Sequence, residues 1–174
     1  MKPSPPEPLI MGIDPGYDRV GWAVCQATGQ KLAVVAYGCI RTNPKETQLE
    51  RYQQLANELD ELVVRYQPTD AVVESLFFAT NQKTAISVAQ ARGIILAQFI
   101  KHGATIHEYT PLQIKQAVTG YGNADKTAVE KMTRLQLTLP NEKIIDDTID
   151  ALAMTITLHA RLRVDRASVL NLGL

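Results

Sequence analysis

The stretch Leu9-Ile10-Met11-Gly12-Ile13-Asp14-Pro15-Gly16 constrains this chain more than any other. Leu9, Ile10, Met11 and Ile13 form an apolar run that reads as a strand buried on both faces, the kind found at the centre of a sheet. Pro15-Gly16 then forces a turn directly after Asp14. An acid is thereby set at the mouth of a buried strand. One explanation is local, since Asp often caps such a turn. Asp70-Ala71-Val72-Val73-Glu74 argues for another, because it is a second short apolar strand closing on a carboxylate, with Asp70 assigned to the turn entering it. In a parallel pair the two ends lie together at the carboxyl edge of the sheet, where α/β proteins place their sites.

The elements around these strands follow from periodicity. Val20 to Cys25 and Lys31 to Ile40, joined through Thr28-Gly29-Gln30, read as a hairpin. Lys45 to Tyr66 is helical, with Leu49, Tyr52, Leu55, Ala56, Leu59, Leu62, Val63 and Tyr66 on one stripe and Pro68 ending it. Ser75 to Asn81 is a loop holding Phe77 and Phe78. Gln82 to Lys101 is a helix whose Ala85, Ala89, Gly93 and Ala97 recur every four residues. That smooth face suits close packing on the sheet or on the same helix of a second subunit. Ala104 to Tyr109 is a final strand. Pro111 opens a helix through Val118, and Ala124 to Leu137 forms another before Pro140. A last helix begins at Asp146. The fold class is α/β. Residues 1–8, rich in proline, read as a disordered leader, 9–160 as one domain, and 161–174 as a C-terminal tail.

With 174 residues the chain can bury a full single-domain core. Its formal net charge is zero, which argues weakly against a nucleic-acid partner, but the charge is unevenly spread. Pro44 to Ala79 holds three basic and seven acidic residues, whereas Thr80 to Thr138 holds seven basic and three acidic. A basic half feeding an acidic site suits a polyanionic substrate. Cys25 and Cys39 make neither a disulfide framework nor a metal spacing, and read as buried, reduced residues of a cytoplasmic protein. His102, His107 and His159 lack ligand spacing. No run is long enough to span a membrane.

The last helix supplies further acids in Asp146-Asp147-Thr148-Ile149-Asp150-Ala151. Asp147 and Asp150 are three apart and share a helix face, with about 5–6 Å between Cβ atoms. Acids in a first turn oppose the helix dipole, which accounts for one or two of them but not for a third beside an apolar stripe. If this helix crosses the carboxyl edge of the sheet, Asp14, Glu74, Asp147 and Asp150 converge. Four like charges so close cannot all stay ionised unaided. A hard divalent cation resolves the conflict, because Mg²⁺ prefers carboxylate oxygens and water. Two such ions about 3.5–4 Å apart clamp a phosphodiester. Metal-assisted phosphodiester hydrolysis is the reaction class these residues favour.

Gly12-Ile13-Asp14-Pro15-Gly16, Gly38-Cys39-Ile40-Arg41-Thr42, Gln90-Ala91-Arg92-Gly93, Gln113-Ile114-Lys115-Gln116 and Asp147-x-x-Asp150-Ala151-Leu152-Ala153 together resemble the RuvC family of Holliday junction resolvases, in register from about Ile10 to about His159. Each motif is weak alone; the ordered set is specific. The resemblance implies an RNase H-like fold, a mixed five-stranded sheet flanked by helices, acting as a homodimer. It implies a structure-specific endonuclease that resolves four-way DNA junctions by paired symmetric nicks during recombination and repair. Mg²⁺ would be the cofactor, two ions per site, with Mn²⁺ able to substitute. Asp14, Glu74, Asp147 and Asp150 fall on the family's catalytic, metal-holding acids. Phe77 matches an aromatic that lies against junction bases, the alternative being that Phe77 or Phe78 simply packs under the loop. Lys115 and Lys126 match basic residues that handle DNA near the acids. Arg92 and Lys83 are further DNA-contact candidates, and Arg92 could instead pair with an acid. A RuvA-RuvB branch-migration complex is the implied partner beyond DNA.

The chain also departs from the family pattern. Tyr17 stands where a small residue is common, and could narrow the entrance or contact DNA. Asp146 is an extra acid, four residues from Asp150, that could compete as the ligand. Three rival readings remain: a monomeric RNase H-like nuclease of the YqgF type acting on RNA, an actin-like or sugar-kinase ATPase, and a non-catalytic junction-binding module. The ATPase needs a second comparable domain that this length does not hold. The four acids count against the module.

Overall fold

The computed structural model describes residues 7–75 and 82–171. Five strands, β1 (Leu9–Asp14), β2 (Arg19–Thr28), β3 (Lys31–Arg41), β4 (Asp70–Glu74) and β5 (Thr105–Tyr109), form one mixed sheet in the order β3-β2-β1-β4-β5. β1 runs antiparallel to β2 and parallel to β4, and β4 is parallel to β5. The sheet is the five-stranded mixed arrangement expected, with the first acid-ended strand at its centre.

Alternation along the strands sorts side chains into two cores. Met11, Ile13, Val20, Val24, Ala71 and Val73 face α1 (Gln48–Tyr66) and α2 (Gln82–Lys101). Ile10, Ala23, Cys25, Ala27 and Val72 face α3 (Pro111–Thr119), α4 (Lys126–Leu137) and α5 (Asp146–Asn171). Cys25 is buried and free, and Cys39 is half-buried and free.

Several boundaries differ from expectation for local reasons. α1 begins at Gln48 rather than Lys45, because Thr47 is its N-cap and forms a capping box with Glu50. Leu49 therefore falls in the first turn and is 79% exposed, outside the core stripe. Asp70 belongs to β4, not to the turn before it, and its carboxylate meets His107 Nε2 on β5 at 2.9 Å. On α2 the sheet receives Ala91, Ile95 and Phe99. The smooth face is not what packs on the sheet: Gly93 and Ala97 are exposed, and a methyl group added at Gly93 would meet nothing within 4 Å. The stretch set apart as a tail from residue 161 continues α5 without a break to Asn171. Among the described residues, no helix is long and apolar enough to cross a membrane.

Candidate active site

Strand alternation aims the first two acids. Ile10, Gly12 and Asp14 share one face of β1, and Val72 and Glu74 share the same face of β4. Ile13 lies beside Val73 in the parallel register, so Asp14 and Glu74 end neighbouring strands side by side. α5 crosses this face at very short range. A side chain at Gly12 would collide with the Ala151 carbonyl, and one at Gly21 with that of Asp147. These two glycines let the helix backbone lie directly on β1 and β2, which carries Asp147 and Asp150 to the strand ends.

The two lysines come from helices with their own start signals. Thr110 caps α3 in a capping box with Gln113, Pro111 sits in the first turn, and Gly120 closes the helix in the left-handed conformation. Ile114 turns into the core while Lys115 faces the acids. Asp125 caps α4 by accepting from the Ala128 N–H at 2.8 Å, which makes Lys126 its first helical residue. Asp14, Glu74, Asp150, Lys115 and Lys126 line a cavity of about 290 Å³, floored by Pro111, Ile114 and Val129.

The acids feel one another strongly. Burial, then the charges of Asp150, Glu74 and Asp147, pushes the Asp14 carboxyl up to about 8, against the pull of Lys126. Glu74 is raised by burial and then by Asp150, with Lys115 and Lys126 opposing. Asp150 is raised chiefly by burial, with Asp146 and Asp147 adding to it and Lys126 and Lys115 opposing. A cluster that holds protons this tightly gains most from a bound cation.

The donor set fits a hard divalent metal. All four groups are carboxylates, and Asp147 keeps a buried Oδ2 that accepts no hydrogen bond. Among the described residues no three such groups converge closely enough to hold one ion as they stand.

The remaining sequence candidates divide. Phe77 lies outside the described residues, as does the side chain of Lys83. Arg92 takes the alternative foreseen for it: its guanidinium pairs with Glu108 of β5, and its Nε donates to the Glu74 carbonyl at 3.3 Å. It thereby ties α2 to the ends of β4 and β5. Tyr17 turns away from the cavity, with its ring 3.8 Å from the Arg51 guanidinium and edge-on to Tyr52. Asp146 is exposed and does not line the cavity; its charge reaches Asp150. Sequence reading missed Arg19, whose Nε lies 3.1 Å from Asp147 Oδ2. It also missed buried Arg51, which donates to Thr42 and to the Tyr17 carbonyl and pairs with Asp18. Arg19 lies two residues before Gly21 on the same strand face, a placement that tells only once α5 is seen against Gly21. Arg51 had no readable signal, because a cation inside an amphipathic stripe looks like a solvated one.

The model of the family described as crossover junction endodeoxyribonuclease RuvC matches residues 10–159. The chain belongs to the RuvC family. It is 45% identical over 148 residues to the RuvC of Pelotomaculum thermopropionicum, covering 85% of this chain and 90% of that one. The solved structure of T. thermophilus RuvC in complex with a Holliday junction substrate superposes with a TM-score of 0.85 at 30% identity, covering 91% of this chain and 96% of that one. The yeast mitochondrial Holliday junction resolvase shares the fold at 12% identity, with a TM-score of 0.69 over 98% of this chain and 87% of that one. The α/β, RNase H-like architecture expected of RuvC proteins is the one observed.

Proposed function

We propose that this chain is a metal-dependent endonuclease that resolves four-way DNA junctions by paired, symmetric nicks, as a homodimer using Mg²⁺. The observation that carries this reading is the gathering of Asp14, Glu74 and Asp150 around one cavity with Lys115 and Lys126, and with Asp147 close enough to raise Asp14. The acids would hold two ions, with Mn²⁺ an acceptable substitute, supplying an activated water and a stabilised leaving oxygen. Lys115 and Lys126, on the open side, would hold phosphates of the cut strand. Phe77, three residues beyond Glu74, would stack on an opened base, a role argued from its sequence position alone. Lys83 is a further DNA-contact candidate on the same ground. Arg92, taken up by Glu108, fits a strand-tying role better than DNA contact. Chromosomal junctions as substrate would place the protein in the cytoplasm, where a RuvA-RuvB-type branch-migration complex could deliver them.

The deciding experiment is incubation with a mobile four-way junction, with and without Mg²⁺, followed by mapping of nicks on all four strands. Symmetric paired nicks that need Mg²⁺ are expected; absent or unpaired nicks would sink the reading. Asp14→Asn, Glu74→Gln, Asp147→Asn and Asp150→Asn should each abolish cleavage and preserve junction binding, because binding energy comes mainly from phosphate contacts. Normal cleavage by Asp147→Asn with none by Asp146→Asn would shift the ligand assignment by one residue.

A further inference from the structure

Among the described residues, Arg19 is the cation that lies within ion-pairing distance of a site acid. Its place is set by backbone rather than by chance. Arg19 and Gly21 share the face of β2 that meets α5, and the Asp147 carbonyl lies against Gly21. The turn leading back from Asp14 is closed tightly, since a side chain at Gly16 would strike the Arg19 carbonyl. Buried Arg51 pins the same turn from α1 through the Tyr17 carbonyl and Asp18. Arg19 can therefore leave Asp147 by side-chain rotation, while its backbone stays where it is.

The contact itself is built to be replaced. The Arg19 side chain is 50% exposed, and its Nε lies 3.1 Å from Asp147 Oδ2 without the alignment of a hydrogen bond. Water reaches the Arg19 end of this pair although Asp147 Oδ2 itself is buried, and solvent on one side weakens an ion pair, whereas a hard divalent cation takes carboxylate oxygen as a direct ligand. Both want the same oxygen. We propose that Arg19 is the resident counter-ion of Asp147 in the metal-free site and competes with the incoming divalent cation for that carboxylate, so that it helps set the cation concentration at which the site fills. This rests on the four acids being a metal site, as argued above.

The test is titration calorimetry of the full chain with MgCl₂, and separately MnCl₂, without DNA at fixed ionic strength. Arg19→Gln and Arg19→Met, which keep the stem and remove the charge, should bind about two- to fivefold more tightly than the parent. Their metal-free melting temperature should fall, and the rise on adding metal should grow. Arg41→Gln is the control, because Arg41 pairs with Arg19 in the β2–β3 register and, among the described residues, makes no ion pair with an acid. Unchanged or weaker binding in both Arg19 variants, with the parent binding metal, would overturn the counter-ion role. Equal tightening by Arg41→Gln would also overturn it, leaving only a net-charge effect. No binding by any of the proteins would overturn the metal site and this role with it.

Discussion

A carboxylate in the position of Asp14 is disfavoured by burial and again by three neighbouring charges, which together take it from an ordinary 3.8 to about 8. Well below pH 4 the group is protonated in both the folded and unfolded chain, and stability does not vary with pH through it. Between these values the folded form holds a proton that the unfolded form has released, so stability is lost as pH rises and levels off above about 8. Glu74 and Asp150 shift in the same direction. The metal-free protein should therefore melt at progressively lower temperature from pH 5 to pH 8, and Asp14→Asn should flatten that decline. Each kcal/mol of relieved repulsion corresponds to about 2–4 °C in a chain of this size, so a gain of several degrees at pH 8 is expected for Asp14→Asn. A melting temperature lowered by the substitution at pH 8 would mean that Asp14 is held by contacts that outweigh the repulsion. Lys115 and Lys126 oppose the same shifts from the open side of the cavity. Lys115→Ala and Lys126→Ala should each slow cleavage, and each lost phosphate contact should reduce the salt slope of junction binding by about one. Gel-shift titrations across a salt series would measure it, and unchanged slopes with unchanged rates would return both lysines to ordinary surface.

At the scale of elements, the site depends on α5 lying on β1 and β2 without intervening side chains. Gly12→Ala and Gly21→Ala would each push a methyl group into a helix carbonyl. Overpacking of this kind costs about 1–3 kcal/mol and sometimes more. Both variants should show a lower denaturation midpoint, and cleavage should fall further than the folded fraction, because the displaced helix takes Asp147 and Asp150 with it. Cleavage that tracks the folded fraction alone would show that the acids tolerate the shift. The same contact explains what could be read from sequence. Strands ending on Asp14 and Glu74 were visible because burial on both faces leaves a continuous apolar run, and Asp147 and Asp150 because three-residue spacing fixes a shared helix face. Helix crossing could only be assumed, since nothing in one sequence states which strand a helix covers; Gly12 and Gly21 hold that information only once the helix is seen against them. Leu49 misled because a cap at Thr47 moved the helix start past Lys45. Tyr17 does not line the cavity because its ring found a partner, Arg51, thirty-four residues away in the chain.

For the whole molecule, the question is what joins one acid cluster to a second. Symmetric nicking, as proposed above, needs two sites facing two scissile phosphates, and a homodimer would supply them. α2 presents Ile86, Gly93, Ala97 and Ile100 outward, with Ile86 71% and Ile100 69% exposed. Their spacing of seven, four and three residues puts them on one helix face, and the small residues in the middle would let a second backbone approach. The opposite side of α2 is spent on the sheet through Ala91, Ile95 and Phe99. Beside the exposed stripe, Gln90 accepts from the Tyr52 hydroxyl at 2.8 Å, and Tyr52 meets Tyr17 in the turn after Asp14. A pairing through this stripe would thus sit one layer from the turn that follows Asp14. Ala97→Arg places charge on the stripe without touching either core, so the far-UV spectrum should be unchanged. Sedimentation velocity should show the parent as a dimer and Ala97→Arg as largely monomer at micromolar concentration. The variant should still bind metal, while its junction cleavage should lose pairing, giving single uncoordinated nicks at a rate at least tenfold lower. A parent that sediments as a monomer, or an Ala97→Arg dimer that nicks in pairs, would move the interface away from α2.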